Sequence, residues 1–122
     1  MTKYQSVLLV DDDPVSNFVL DTMFRKMDIC TNNRMCRNGE EALQVLKAHQ
    51  LSPDLIFLDL QMPIMDGLEF LDKYYASGLK SQETKIIVYT TTIDDWEKEK
   101  CKGLPIILKP ITLEKIATAI GN

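Results

Sequence analysis

The chain is short of the residues that staple, thread or insert a small fold. Cysteine occurs only at Cys30, Cys36 and Cys101, an odd count with no CxxC pair, so the thiols read as reduced and neither a disulfide framework nor a zinc site is expected. The single histidine, His49, falls late in a helical pattern and reads as a surface residue. Long apolar runs are missing, which excludes a membrane span and a signal peptide and makes a cytoplasmic location the expectation. Basic residues are not in excess: 14 Lys and Arg face 18 Asp and Glu, for a net charge of −4. That balance argues against a sequence-independent grip on nucleic acid, which needs clustered positive charge. Repeats, low-complexity tracts and Pro/Gly/Ser-rich linkers are also lacking, so 1–122 is expected to be one domain.

What is present is an alternation of short apolar runs with longer segments of helical period. "SVLLV" (6–10) is continuously apolar, as a strand buried on both faces should be. Asp13 followed by Pro14 reads as an N-cap and a first-turn proline, opening a helix to about Met27 whose apolar face is expected at Val15, Phe18, Val19, Thr22 and Met23. "NNRMCR" is a polar edge-strand candidate, and "EEALQVLKAHQ" a second helix. "PDLIFLDL" (53–60) is a further apolar strand, and Asp66 restarts a helix after Pro63. "KIIVYT" (85–90) and "PIIL" (105–108) are the last two strands. Thr92 with Asp95 predicts a capping box for a short helix through Trp96, and "TLEKIATAI" (112–120) closes the chain as an amphipathic helix. The pattern is α/β, a (βα)5 repeat.

Strands alternating with helices require parallel pairing and right-handed crossovers, which bring every strand's C-terminal end to one edge of the sheet. Ligands of such sheets bind at that edge. The first strand delivers Asp11 and Asp12 there, the third Asp59, the fourth Thr90 and Thr91, and the fifth Lys109. Carboxylates converging in a crevice call for a cation. Hard oxygen ligands with water in the remaining positions describe Mg²⁺. An ion so held has positions open to phosphate oxygens, Lys109 and the Thr90 hydroxyl can contact the same phosphate, and Asp59 can act as a carboxylate nucleophile. Each residue alone has an ordinary explanation as a cap, turn or strand end; their joint arrival on one rim carries the reading.

The pieces "LLVDDD", "PDLIFLDLQMPIMDG", "IIVYTT" and "ILKP", in this order from about Ser6 to Ile120, resemble the receiver domain of two-component response regulators. The resemblance implies a flavodoxin-like three-layer sandwich with a parallel five-stranded sheet of order 2-1-3-4-5. It implies Asp59 as phosphoacceptor, with Thr90 and Lys109 contacting the phosphoryl group. It also implies Mg²⁺ held by Asp12, Asp59 and the backbone carbonyl of Gln61, with Asp11 acting mainly through water, and a cis peptide at Lys109-Pro110. The implied donor is a histidine kinase or a histidine phosphotransfer protein, and the implied role is a signalling switch rather than an enzyme.

Departures from the family pattern are specific. Ile106 stands where the family usually carries a switch aromatic, the stretch from Thr90 to Lys109 is a few residues short, and Thr91 replaces a small residue. An altered signalling face on the fourth helix, fifth strand and fifth helix is therefore expected. Gln61 and Thr92 occupy positions that in the family tend to set the lifetime of the acyl phosphate. No output segment follows Asn122, so a single-domain regulator is expected, acting through an unknown output protein as a monomer or weak phosphorylation-dependent dimer; a receiver cut from a larger regulator or hybrid kinase is the other reading. Of the remaining classes, a Mg²⁺-dependent aspartyl-phosphate phosphatase should carry a second aspartate where Gln61 stands. A flavodoxin should lack three aspartates beside its phosphate loop.

Overall fold

A computed structural model of the chain describes residues 3–49 and 52–121; the side chain of His49 lies outside what is described. The strands are β1 (Val7–Val10), β2 (Asn33–Cys36), β3 (Leu55–Asp59), β4 (Lys85–Thr90) and β5 (Ile106–Leu108). They alternate with α1 (Pro14–Lys26), α2 (Gly39–His49), α3 (Gly67–Ser77), α4 (Asp95–Lys100) and α5 (Leu113–Ile120). All strand pairs are parallel, in the order β2-β1-β3-β4-β5. The register sets Val10 beside Leu58 and Asp59 beside Tyr89, so the strand ends are level where the polar residues begin.

Two-residue periodicity divides the sheet's side chains between two cores. Val7, Leu9, Phe57, Ile87 and Tyr89 face Leu20 and Phe24 of α1 and Ile116 and Ile120 of α5. Leu8, Val10, Ile56, Leu58 and Ile86 face Ala42 and Leu46 of α2 and Phe70, Leu71 and Tyr74 of α3. Phe57 anchors the first core, edge-on to Phe24 at 5.5 Å and tilted against Tyr89 at 4.7 Å. Fully burying side chains of this size contributes on the order of 2 kcal/mol each.

Caps fix where the helices start. Asp13 accepts from the Val15 N–H, Asp66 from Glu69 and Thr112 from Lys115. The capping box of α4 pairs Asp94 with Glu97, not Thr92 with Asp95. Both acids at 94 and 95 could cap, and the earlier start is unavailable because the Thr92 backbone is engaged by Thr90 and Gln61. The fourth helix runs on to Lys100, past the expected end at Trp96, yet is only 6 residues long.

The face of α1 also differs from expectation. Val15, Phe18 and Val19 are exposed, Met23 packs at the core margin, and the buried residues are Asn17, Leu20 and Phe24. A phase that buries Leu20 and Phe24 also buries a polar residue, and Asn17 is accommodated because its amide donates to the carbonyls of Asp11 (3.0 Å) and Cys36 (3.4 Å). Gly67 allows α3 to start against the end of β3: a Cβ there would lie 2.5 Å from the Asp59 carbonyl oxygen. No described helix is long and apolar enough to cross a membrane.

Candidate functional site

Parallel pairing places Asp11, Asp12, Asp59, Thr90 and Lys109 at one edge, as expected from the strand ends. Asp11 and Asp59 are buried and Asp12 is exposed. The three carboxylates each offer an oxygen within 4.8 Å of the others. Lys109 Nζ lies 3.3 Å from Asp11 Oδ2 and 3.3 Å from Asp59 Oδ2, bridging the two buried acids. The Lys109-Pro110 peptide is cis.

Asp11 is held from both sides. Its Oδ1 accepts from the Asp13 N–H at 3.0 Å, and its Oδ2 accepts from the Tyr89 hydroxyl at 2.8 Å as well as from Lys109. The Tyr89 ring also lies under the Lys109 ammonium, 4.9 Å away. Asp59 Oδ1 accepts from the Gln61 N–H at 3.3 Å.

The charges do not balance. Burial and the neighbouring Asp11 charge push Asp59 up to about 6, although Lys109 and the Gln61 N–H pull the other way. Burial would lower the Lys109 ammonium, but Asp59 and Asp11 outweigh it and raise it above the ordinary lysine value. Burial, reinforced by Asp11, holds Tyr89 well above the usual phenol range, so it is a donor at any physiological pH. Three carboxylates thus gather at one point, and the Lys109 ammonium pairs with only two of them, Asp11 and Asp59. A donor set of oxygens alone, one carboxylate open to solvent and charge left over, fits a hard divalent cation of the Mg²⁺ type.

Thr90 lies at the same rim, but its hydroxyl is hydrogen-bonded to groups other than Asp59. It donates to the Gln61 side-chain oxygen and lies 3.1 Å from the Thr92 carbonyl. Gln61 Nε2 donates to that same carbonyl at 3.4 Å.

Sequence reasoning did not single out Tyr89 or Asn17. A signal existed for Tyr89: a buried tyrosine hydroxyl needs a partner, and this one stands next to last in a strand buried from Ile86 to Thr90. Asn17 carried no such signal, since a polar residue early in a helix reads as solvent-facing.

Residues 7–121 match the family model for the response regulator receiver domain. A probable C4-dicarboxylate response regulator, DctR, of Priestia megaterium is 32% identical over 121 residues, covering 97% of this chain and 51% of that protein. The chain spans about half the length, or less, of this and similar curated relatives. In fold it is similar to a two-component response regulator from Cytophaga hutchinsonii, with a TM-score of 0.81 at 23% identity over 97% of this chain and 95% of that one. It is also similar to a chain in the CheX-CheY-BeF3-Mg complex of Borrelia burgdorferi, with a TM-score of 0.81 at 25% identity over 94% of this chain and 85% of that one. With its order 2-1-3-4-5 sheet and its acidic rim, the chain belongs to the response regulator receiver domain family.

Proposed function

We propose that Asp59 accepts a phosphoryl group from the phosphohistidine of a histidine kinase or histidine phosphotransfer protein. The observation that carries this reading is the Asp59 carboxylate, buried at the end of β3 with the Lys109 ammonium at 3.3 Å and two further carboxylates around it. In the transfer an Asp59 oxygen attacks phosphorus, the P–N bond breaks, and its electron pair returns to the imidazole. A value of about 6 leaves Asp59 ionised, and so nucleophilic, at neutral pH. Lys109 then shifts from Asp59 to the new phosphoryl oxygens, and the Thr90 hydroxyl contacts another of them. Asp12, Asp59 and the Gln61 carbonyl would hold Mg²⁺, with Asp11 acting through water. When bound, the ion neutralises charge on the transferring oxygens.

Support for a donor on the α1 side comes from the exposed Val15, Phe18 and Val19. Val15 and Val19 also line a hollow of about 250 Å³ with Ser16, Lys109, Pro110 and Ile111, which shares Lys109 with the site. An apolar patch beside a charged crevice suits a helical partner that must present its histidine to Asp59. The protein is read as a cytoplasmic signalling module, a monomer or weak phosphorylation-dependent dimer, that catalyses only its own phosphorylation and dephosphorylation. The phosphatase reading is weaker because Gln61 occupies the position of the second acid, and the flavodoxin reading because three aspartates would repel a flavin phosphate.

Incubation with Mg²⁺ and acetyl phosphate, followed by intact mass, tests the proposal. Wild type is expected to gain one phosphoryl group, and Asp59→Ala and chelated wild type none. A wild type unmodified by any donor, or an Asp59→Ala protein modified equally, would overturn it.

A further inference from the structure

Gln61 and Thr90 form a contact that the phosphoacceptor chemistry does not require. The Gln61 carboxamide spans two groups of the β4–α4 connection, the Thr90 hydroxyl and the Thr92 carbonyl. The carbonyl decides which way the amide faces. Only Nε2 can donate to the Thr92 oxygen, so Oε1 is left to Thr90, and the Thr90 hydroxyl must be the donor. A hydroxyl has one proton. Here its acceptors are Gln61 Oε1 and the Thr92 carbonyl at 3.1 Å, and neither belongs to Asp59.

From this geometry we infer that the Gln61 side chain is a latch: it engages the Thr90 proton in the resting protein and competes with a phosphoryl group on Asp59 for it. The inference rests on the reading of Asp59 as phosphoacceptor. Gln61 is a positioning residue in this role, since it acts through Thr90. Its backbone N–H already reaches Asp59 Oδ1 at 3.3 Å, so main chain and side chain of one residue touch the acceptor and the switch hydroxyl at once. When Thr90 turns toward Asp59, Gln61 Oε1 loses its donor and the Thr92 carbonyl loses a neighbour. Thr92 lies two residues before Asp94, the N-cap of α4, so the released segment is the one that sets where α4 begins. On the other side Thr90 is tied to β5, where it pairs with Leu108 and its carbonyl accepts from the Lys109 N–H at 2.9 Å, so the side-chain contacts of the β4–α4 connection are the ones free to change.

A ligand that needs the unlatched state binds more weakly by the fraction of molecules that are latched. Removing the latch should therefore tighten binding of a phosphoryl mimic, and only while Thr90 has a hydroxyl. Beryllofluoride is titrated in excess Mg²⁺ into the full chain and its Gln61→Met, Gln61→Ala, Thr90→Val and double variants. Trp96 emission reports α4, and the ¹⁹F signal of the bound mimic reports occupancy. Gln61 is exposed and Thr90→Val keeps the side chain's shape, so these proteins should fold. The inference predicts half-saturation at about three- to tenfold lower mimic for both Gln61 variants in the Thr90 background, as expected for one hydrogen bond, and no change in the Thr90→Val background. Equal changes in both backgrounds would mean that Gln61 touches the mimic directly, and would overturn the latch, as would no change in either. Failure of wild type to bind the mimic at all would instead strike the phosphoacceptor reading beneath it.

Discussion

Tyr89 donates a buried hydrogen bond of 2.8 Å to Asp11 Oδ2, tying the end of β4 to the acidic turn after β1, 78 residues earlier. Both residues are fully buried. Lys109 reaches the same oxygen at 3.3 Å but is shared with Asp59, so the phenol is the donor that Asp11 keeps if Lys109 moves to a phosphoryl group.

Tyr89→Phe should therefore cost stability out of proportion to one oxygen atom. Hydrogen bonds to charged groups contribute about 1.5–3 kcal/mol, and the ring packing against Phe57 is retained. Urea unfolding in chelator is the measurement. A loss below about 0.5 kcal/mol would show that the Asp11 carboxylate does not depend on the phenol.

Asp59 is destabilising as a charge. Its folded value of about 6 is raised above the ordinary 3.8, so the folded state binds a proton more tightly than the unfolded chain does. The stability linked to that proton is fully present below 3.8 and lost as pH rises through about 6. In metal-free buffer Asp59→Asn should thus be more stable than wild type at pH 7, on the order of 2 kcal/mol. The advantage should fade as pH falls from about 6 toward 3.8. Unfolding curves at several pH values check this, and a gain that grew on acidification would contradict it.

These energetics also mark how far the sequence could be read. The rim residues Asp11, Asp12, Asp59, Thr90 and Lys109 were legible because an apolar strand ends in a polar residue where the sheet ends, and parallel pairing brings those ends level. "KIIVYT" coincides with β4 from Lys85 to Thr90 for the same reason. The buried face of α1 was not legible, because counting apolar residues favours Val15, Phe18 and Val19 while the fold chooses the phase that docks Leu20 and Phe24 beside Phe57. Burying Asn17 is favourable only once the carbonyls of Asp11 and Cys36 are in place, and nothing local announces them. The direction of the Thr90 hydroxyl depends on Gln61, 29 residues away, and so belongs to tertiary structure alone.

Ile64 stores backbone strain beside the site. It has φ of 68°, and the Met65 N–H donates to the Pro63 carbonyl across it at 2.7 Å, closing a γ-turn. A β-branched residue rarely takes a positive φ, and at 74% exposure its side chain recovers little by packing. Ile64→Gly should raise stability by about 0.5–1 kcal/mol, because relief of the strain outweighs glycine's extra entropy in the unfolded chain. Thermal unfolding checks this, and a lowered midpoint would mean that the loop tolerates the isoleucine without strain.

The triplet Asp11, Asp12 and Asp13 should separate by phenotype. Asp13 accepts from Val15 at 2.9 Å and from the Ser16 hydroxyl at 3.2 Å, both on the helix it caps. Asp13→Ala should cost about 1 kcal/mol and leave phosphorylation intact. Asp12→Ala should leave stability nearly unchanged, since the residue is exposed, and abolish Mg²⁺-dependent phosphorylation. Paired unfolding and phosphorylation assays would expose a reversal of these roles.

The most direct test of the account is to locate the phosphoryl group. The protein is treated with a phosphohistidine donor and Mg²⁺, the acyl phosphate is reduced with borohydride, and the peptides are sequenced by mass spectrometry. The account predicts that position 59 alone carries the reduced product, homoserine in place of aspartate. Reduction at Asp11 or Asp12, or none anywhere in a protein that the donor has demonstrably labelled, would contradict it.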